Sequence, residues 1–258
     1  MRSLISYKKF SIKIRKSILK IANSSHCSHI GSNLSIVDIL TVLYLNFLKS
    51  KKNFFILSKG HACLALYCVL KEMKFITEKT LNTFGKNDSL LMSHSSHKVP
   101  GIDLSTGSLG HGLPIATGAA LADKINKIKK KTFVILSDGE LDEGSNWESL
   151  LFSSHHKLNN LVIIIDYNKL QSIDFVKNTL NLEPLKQKFQ SFGCKVVSVD
   201  GHNFKQLEKA LTSTSTKPLV IIANTIKGKG VSFMENSVLW HYKSLNSEDY
   251  QKALRIIK

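Results

Sequence analysis

Phe133-Val134-Ile135-Leu136-Ser137-Asp138-Gly139-Glu140 and Leu161-Val162-Ile163-Ile164-Ile165-Asp166-Tyr167-Asn168 decide the fold of this chain. Each is an apolar run of strand length that ends in polar residues able to turn the backbone. Runs this short and this uniformly apolar read as strands buried on both faces, as in a parallel sheet. Lying side by side and parallel, the two strands bring Asp138 and the Asn168 side chain to the same sheet edge. Oxygen donors at the carboxyl ends of strands suit Mg2+ or Ca2+, and Mg2+ is commonly held together with a diphosphate. Each half of the pair also has an ordinary reading, because Asp-Gly after a strand is a frequent turn and Asn after a strand a frequent cap. The remainder of the chain has to decide between them.

Phe54-Phe55-Ile56-Leu57 is a further short strand, and residues 195–200 and 219–225 are two more. Between the strands the apolar spacing is helical. Phe10, Ile14, Ile18 and Ile21 mark a first helix, and Ser35 is placed to cap a second over residues 36–48, with Asp38 in its first turn. Helices over 62–73, 113–128, 147–155 and 203–211 follow. Residues 76–92 read as a polar helix and connector, and 93–112 as a loop rich in Gly, Ser and His. Strands alternating with helices predict an α/β fold, a doubly wound parallel sheet with helices on both faces and right-handed crossovers. No repeat or linker divides the chain, so residues 1–258 read as a single domain with a C-terminal tail from about residue 227.

Of the 258 residues 43% are hydrophobic, enough for one α/β core, and no apolar run is long enough to span a membrane. Cys27, Cys63, Cys68 and Cys194 form no C-x-x-C and no zinc-like spacing with histidine, which favours a reduced, cytoplasmic protein. The formal charge of +17 invites a nucleic-acid reading. The lysines are scattered, however, with short clusters such as Lys129-Lys130-Lys131, and no arginine-rich arm or aromatic-interleaved patch accompanies them. Small anionic ligands fit this charge better than nucleic acid does. The basic, amphipathic start of the chain has the character of a transit segment, but its helix runs directly into the loop at 26–32 and leaves little to remove.

His29, His61, His94 and His111 all lie in loops beside Gly or Ser. Loops at the carboxyl edge of an open α/β sheet converge, so these four and the Asp138/Asn168 pair are expected to share one cleft. The segments Ser28-His29-Ile30-Gly31, Ser58-Lys59-Gly60-His61, Ser105-Thr106-Gly107-Ser108-Leu109-Gly110-His111, Ser137-Asp138-Gly139-Glu140, Asp166-Tyr167-Asn168, Asp200-Gly201-His202, Lys227-Gly228-Lys229-Gly230 and Trp240-His241 occur in this order along nearly the whole chain. In that order and spacing the chain resembles the transketolases, and in particular the N-terminal subunit of a split transketolase. Ser-Lys-Gly-His and Ser-Thr-Gly-Ser-Leu-Gly are the segments most particular to that family. Asp-Gly followed thirty positions later by Asn is similar to thiamine diphosphate enzymes at large.

The resemblance implies thiamine diphosphate and Mg2+ as cofactors, with Ca2+ or Mn2+ as substitutes. It implies that Asp138, the Asn168 side chain and the Leu170 carbonyl hold the metal. The Gly139 N–H would approach the diphosphate where a Cβ would crowd it, with His61 and His241 at the same end of the cofactor and Glu140 beside it. Gly107, Ser108 and Leu109 would line the pocket around the cofactor ring. His29 and His94, with His61, would exchange protons with sugar hydroxyls, a task suited to imidazole near neutral pH. Glu143 matches an acidic residue that links paired active sites in the family. His202 and Trp147 are read instead as turn and packing residues.

Three serines depart from the family pattern: Ser28, Ser93 and Ser137 stand where glycine is usual, and each is expected to restrict a tight loop. The chain also lacks the family's pyrimidine-binding domain, which carries the glutamate that activates the cofactor. The resemblance therefore implies a heteromer with a separate C-terminal polypeptide. It would be a heterotetramer of two copies of each, and this chain would be inactive without its partner. Its reaction would move a two-carbon glycolaldehyde unit from a ketose phosphate to an aldose phosphate, as in the pentose phosphate pathway. The alternatives are a deoxyxylulose-phosphate synthase-like half, the α subunit of a 2-oxo acid dehydrogenase, or a non-catalytic subunit with a decayed cofactor site. No nucleic-acid or membrane partner is expected.

Overall fold

The computed structural model describes residues 3–49 and 52–257; the other positions of the expected span 1–258 lie outside the described residues. The chain opens with α1 (Leu4–Ser25), α2 (Ile30–Ser35) and α3 (Val37–Asn46), then β1 (Phe54–Leu57), α4 (Cys63–Glu72) and α5 (Glu78–Leu81). It continues through α6 (Gly112–Ile125), β2 (Thr132–Ser137), α7 (Gly144–His155), β3 (Leu161–Tyr167), α8 (Val176–Thr179) and α9 (Leu185–Ser191). It closes with β4 (Lys195–Asp200), α10 (Phe204–Leu211), β5 (Leu219–Asn224) and α11 (Ser247–Ile256).

All five strands are parallel, in the order β1-β2-β3-β5-β4. The two apolar runs ending at Ser137 and Tyr167 are therefore neighbours, with Ser137 paired to Asp166. Strand side chains alternate between two cores. Phe133, Ile135, Val162 and Ile164 face α1, α3, α4 and α10, while Val134, Leu136, Ile163 and Ile165 face α6, α7 and α9. Burial on both faces is why the runs show no polar alternation, and each such side chain contributes about 1.5–3 kcal/mol relative to exposure. The winding reverses once, since β5 returns between β3 and β4. The connections into β3 and β4 use α7 and α9 on one face, and the return to β5 uses α10 on the other, as right-handed crossovers require. The loop leaving β1 enters α4, on the face of α10, while the loop leaving β2 enters α7 on the opposite face, so the two diverge and open a crevice at the carboxyl edge.

Several local expectations change. Ser35 does not cap a helix over 36–48, because residues 30–35 are already helical and Ile36 is the N-cap of α3. Its hydroxyl is drawn inward to a buried carboxylate, 2.6 Å from Asp166 Oδ2. The polar helix over 76–92 reduces to the single turn α5, and α8, α9 and α11 are helices that the reading of the sequence did not place. The segment after 227 does not trail. Gly228 N–H donates to the Gly31 carbonyl at 3.0 Å, Trp240 is buried, and α11 packs on α1.

One buried clasp joins the ends of this architecture. Arg15 on α1 donates two hydrogen bonds to the Asp38 carboxylate (2.9 and 2.7 Å) and a third to the Lys229 carbonyl (3.0 Å). His202 Nε2 accepts the Ile226 N–H at 2.9 Å, so its proton sits on Nδ1 and is donated to Asp38 at 2.8 Å. Burial raises the Asp38 carboxyl, and the Arg15 guanidinium outweighs it, holding the group below its usual range. Removing one partner of a buried pair strands the other, at a cost of about 3–5 kcal/mol. Arg15→Met is accordingly expected to lower the free energy of urea unfolding by that amount; a loss under about 1 kcal/mol would contradict a buried clasp.

Candidate functional site

Loops leaving β1, β2, β3 and β5 meet α2 at the carboxyl edge and enclose a cavity of about 270 Å3. Of the residues expected there, His29, His61, His94, Gly107, Leu109, Asp138, Gly139, Asn168, Leu170 and His241 line it. Ser108, His111 and Glu140 do not. Ser108 is exposed on a shallower neighbouring pocket, which His111 also lines. Glu140 is fully buried behind the cavity, where its carboxylate accepts from Ser58 Oγ (2.5 Å), Gly110 N (3.0 Å) and Ser137 N (3.3 Å). It fastens three loops together, and burial raises its carboxyl. A wider groove of about 840 Å3 lies beyond Asn168 and Thr225, but it holds none of the histidines above. The smaller cavity is where the ionisable groups converge.

Beneath the cavity floor Asp166 accepts four hydrogen bonds: from Lys59 Nζ (2.5 Å), Ser35 Oγ (2.6 Å), Asn168 Nδ2 (3.2 Å) and Thr225 Oγ1. Burial would push this carboxyl up, but the Lys59 ammonium and these donors hold it below its usual range. Asn168 is thereby oriented with its amide nitrogen downward, while Oδ1 accepts the Leu170 N–H at 3.1 Å. Gly60 lets the β1 loop pass close to the 93–112 loop, since a Cβ there would stand 2.7 Å from the Thr106 carbonyl oxygen.

Asp138 is buried at the cavity wall. It accepts the N–H groups of Gly139 (2.9 Å) and Lys169 (2.5 Å), and its carboxyl is pushed up to about 6, by burial first and by the nearby Asp166 second. Such a group gains from a cation. Beside it Lys227 Nζ spends all three protons on the Leu170 carbonyl (3.0 Å), the Gln171 carbonyl (2.8 Å) and His241 Nδ1 (2.8 Å). Burial and the Lys59 charge lower this amine to about 8. An ammonium thus rests on the carbonyl expected to bind metal. Among the described residues no cluster of three or more His, Cys, Asp or Glu could hold a metal ion alone. The donor set of one carboxylate, one amide oxygen and one carbonyl is hard and sparse, which fits a divalent ion that brings further oxygens with it. A Cβ on Gly139 would meet the Gln171 side chain at 3.2 Å, so glycine keeps that wall of the cavity open.

The rings of His29, His61 and His241 stand 5.0–5.9 Å apart, centroid to centroid. His29 adopts a left-handed backbone (φ 62), held by its N–H donating to the His241 carbonyl at 2.7 Å, and its Nδ1 lies 3.0 Å from Ser28 Oγ. Burial, then the charges of His94, Lys227 and Lys59, lower His29 to about 4. Burial and Lys227 lower His241 to about 3, and burial with Lys59 takes His61 well below its ordinary value. All three rings are neutral at pH 7 and can each donate and accept. Exposed His94 packs on Gly107 across the mouth.

The three serines are not strained. None of Ser28, Ser93 and Ser137 has a positive φ, and Ser137 Oγ accepts the Glu140 N–H at 3.3 Å. Glu143 is exposed at the start of α7, beside Gly110. Trp147 stacks on Phe189 and Phe192, as a packing residue does. Sequence reasoning did not assign Lys59, Lys227, Gln171 or Tyr242 to the cavity that they line. Lys59 and Lys227 sit inside family-like motifs, where a lysine next to glycine was the available signal.

A profile of the family described as "Transketolase, thiamine diphosphate binding domain" matches residues 8–257. The A subunit of apulose-4-phosphate transketolase from Actinobacillus succinogenes is 42% identical over 255 residues, covering 95% of this chain and 92% of that protein. The 6-deoxy-6-sulfo-D-fructose transketolase subunit SqwG of a Clostridium species is 35% identical over 253 residues, 93% of this chain and 92% of its own length. Human transketolase is 35% identical over 242 residues, 90% of this chain but 39% of that protein. The crystal structure of Campylobacter jejuni transketolase superposes with a TM-score of 0.90 at 29% identity, over 100% of this chain and 43% of that one. The chain thus spans less than half the length of these undivided relatives.

The neutral histidines give the site a pH signature. An unfolded histidine takes up a proton near pH 6.5. His29 and His241 refuse it until about 4 and 3, so the unfolded chain binds more protons in between, and their contribution, full above 6.5, is lost as pH falls toward 4. Asp138 opposes this, because its contribution is present below its unfolded value and lost as pH rises through about 6. Ring 15N shifts of His29 and His241 are expected to stay those of neutral imidazole at pH 5.5; midpoints near 6.5 would contradict this burial.

Proposed function

This chain belongs to the transketolase family through its thiamine diphosphate-binding domain, and we propose that it is the diphosphate-binding subunit of a two-subunit glycolaldehyde transferase. The observation that carries this reading is the donor set at the carboxyl edge. Asp138, Asn168 and Leu170 line one cavity beside Gly139, and a carboxylate, an amide oxygen and a carbonyl are a hard, sparse donor set that suits a divalent ion bringing further oxygens with it. In the proposal these three donors would hold Mg2+, with Ca2+ or Mn2+ as substitutes, which would require Lys227 Nζ to give up the Leu170 carbonyl. Gly139 and His61 would hold the diphosphate, and Lys59 and Lys227 would offset its charge.

Thiamine diphosphate, when bound, supplies the carbanion chemistry that breaks and remakes a carbon–carbon bond. The chain's own residues position and relay. His29 has Nδ1 engaged with Ser28 and keeps Nε2 to accept the proton of the donor-sugar hydroxyl beside the breaking bond. His94, at the mouth, exchanges protons with the acceptor. Glu140, outside the cavity, keeps the β1, β2 and 93–112 loops in register for this work.

Donor and acceptor are proposed as ketose and aldose phosphates. The names of two relatives carry a phosphate and a sulfo group, and a net charge of +17 favours anionic substrates. These names differ in their sugar, so the proposal is made for the class and not for one pathway. The relatives named as single subunits of a transketolase match this chain over nearly their whole length, whereas undivided transketolases are more than twice as long. A C-terminal subunit is therefore proposed to bring the pyrimidine-binding domain, as a heterotetramer. The described cysteines are all free thiols, which supports a reducing cytoplasm. Among the described residues no helix is long and apolar enough to cross a membrane.

Calorimetric titration with thiamine diphosphate and Mg2+, in the presence of the partner subunit, tests this reading. Wild type is expected to bind, and Asp138→Asn to bind at least about 100-fold more weakly, since it loses its anionic metal donor. The chain alone is expected to turn over no ketose phosphate. Absence of cofactor binding by the wild-type pair, or full turnover by this chain alone, would sink the proposal.

A further inference from the structure

Tyr242 lines the cavity, yet neither the motifs nor the proposed chemistry gives its side chain a task. It follows His241 at the end of a 3-10 turn, and its ring stands edge-on to His241 (4.7 Å, 62°) and to His29 (6.1 Å, 61°). In the proposed mechanism His29 is the imidazole that faces the reacting sugar. Unlike both histidines Tyr242 is 62% exposed, and its hydroxyl has no hydrogen-bond partner among the described residues. A large aromatic ring in water, with an idle hydroxyl, thus stands at the mouth of the cavity beside the sugar-facing imidazole.

The backbone that carries the ring is pinned. Tyr242 N–H donates to the Leu239 carbonyl at 3.3 Å, and the preceding carbonyl, of His241, receives the His29 N–H at 2.7 Å. Lys243 pairs with Asp249 at 2.9 Å and lies over Trp240, and Ser244 Oγ donates to the His26 carbonyl at 2.6 Å. A side chain on so fixed a turn is a wall and not a loose flap, and a preorganised wall discriminates by shape. Its aromatic face suits the CH face of a sugar, and its hydroxyl can bond to a sugar hydroxyl or a phosphate oxygen.

We infer that Tyr242 is a specificity-determining residue, the outer wall of the sugar channel, and that it selects acceptors by the length of chain that must pass it. The inference rests on the glycolaldehyde-transfer reading. It is tested in the reconstituted two-subunit enzyme with one ketose phosphate donor, D-xylulose 5-phosphate, and two acceptors, D-glyceraldehyde 3-phosphate and D-ribose 5-phosphate. In Tyr242→Ala the ratio of kcat/KM for the five-carbon over the three-carbon acceptor is expected to rise by about tenfold, the scale on which a pocket distinguishes small differences in bulk. Tyr242→Phe, which keeps the wall, is expected to hold the wild-type ratio. Affinity for thiamine diphosphate, measured by titration, is expected to stay within about twofold in both variants, because the proposed metal donors are Asp138, Asn168 and Leu170 and the Tyr242 ring sits at the exposed mouth. An unchanged ratio in Tyr242→Ala, or an equal loss with both acceptors, overturns the inference and leaves the parent reading intact. Absence of transfer by the wild-type pair overturns both.

Discussion

The carboxylate of Asp166 is the interaction on which the rest of the site depends. It lies at 0% exposure and accepts from four donors that come from four different elements: the β1 loop, α2, the end of β3 and the end of β5. Three of the donors meet Oδ2 and Thr225 meets Oδ1, so both oxygens are engaged. Its principal partner, Lys59, is also at 0% exposure, and neither charge could stay buried without the other. This pair sets where the crevice left by the winding of the sheet closes, and it passes its orientation to Asn168. The residues that would touch a cofactor are thus held by one that would not.

Around this pair the site separates two kinds of positive potential. Lys59 and Lys227 carry charge beside Asp138 and Leu170, while the three clustered histidines are kept neutral by burial and by those same lysines. In a chain of net charge +17 the imidazoles could have been expected to share the surplus. Instead burial suppresses it first and the buried lysines second, since a further cation beside a desolvated ammonium is costly. The proton relay and anion binding proposed above would thereby fall to different residues within one small cavity.

Much of this was legible in the sequence, for identifiable reasons. The strands ending at Ser137 and Tyr167 were readable because burial on both faces removes polar alternation, and their adjacency follows from parallel winding. The histidines and the Asp138/Asn168 pair were readable because they sit in loops at strand ends, with Gly or Ser close by. Lys59 and Lys227 were not, because a lysine defaults to solvent and the partner that buries Lys59 is 107 positions away. Ser35 was misplaced for the same reason, since its hydroxyl answers to Asp166 and not to the local helix. Glu140 and Ser108 were assigned by adjacency to their motifs, and adjacency along a chain does not fix which side of a loop faces a cavity.

The threads tying the first helix to the last segments have a consequence for how the molecule comes into being. Arg15 binds Lys229, His26 receives Ser244 and Tyr7 binds Glu208, each across more than two hundred positions. Contacts of such separation close large loops before any of their energy is returned, so they form late and slowly. During synthesis α1 finds α3 and α4 early for most of its apolar stripe and meets α11 only later. The cavity needs Lys227, His241 and Tyr242 to stand beside residues made far earlier, such as His29 and His61. The site therefore takes shape only when segments distant in the chain come together, after the sheet that frames it.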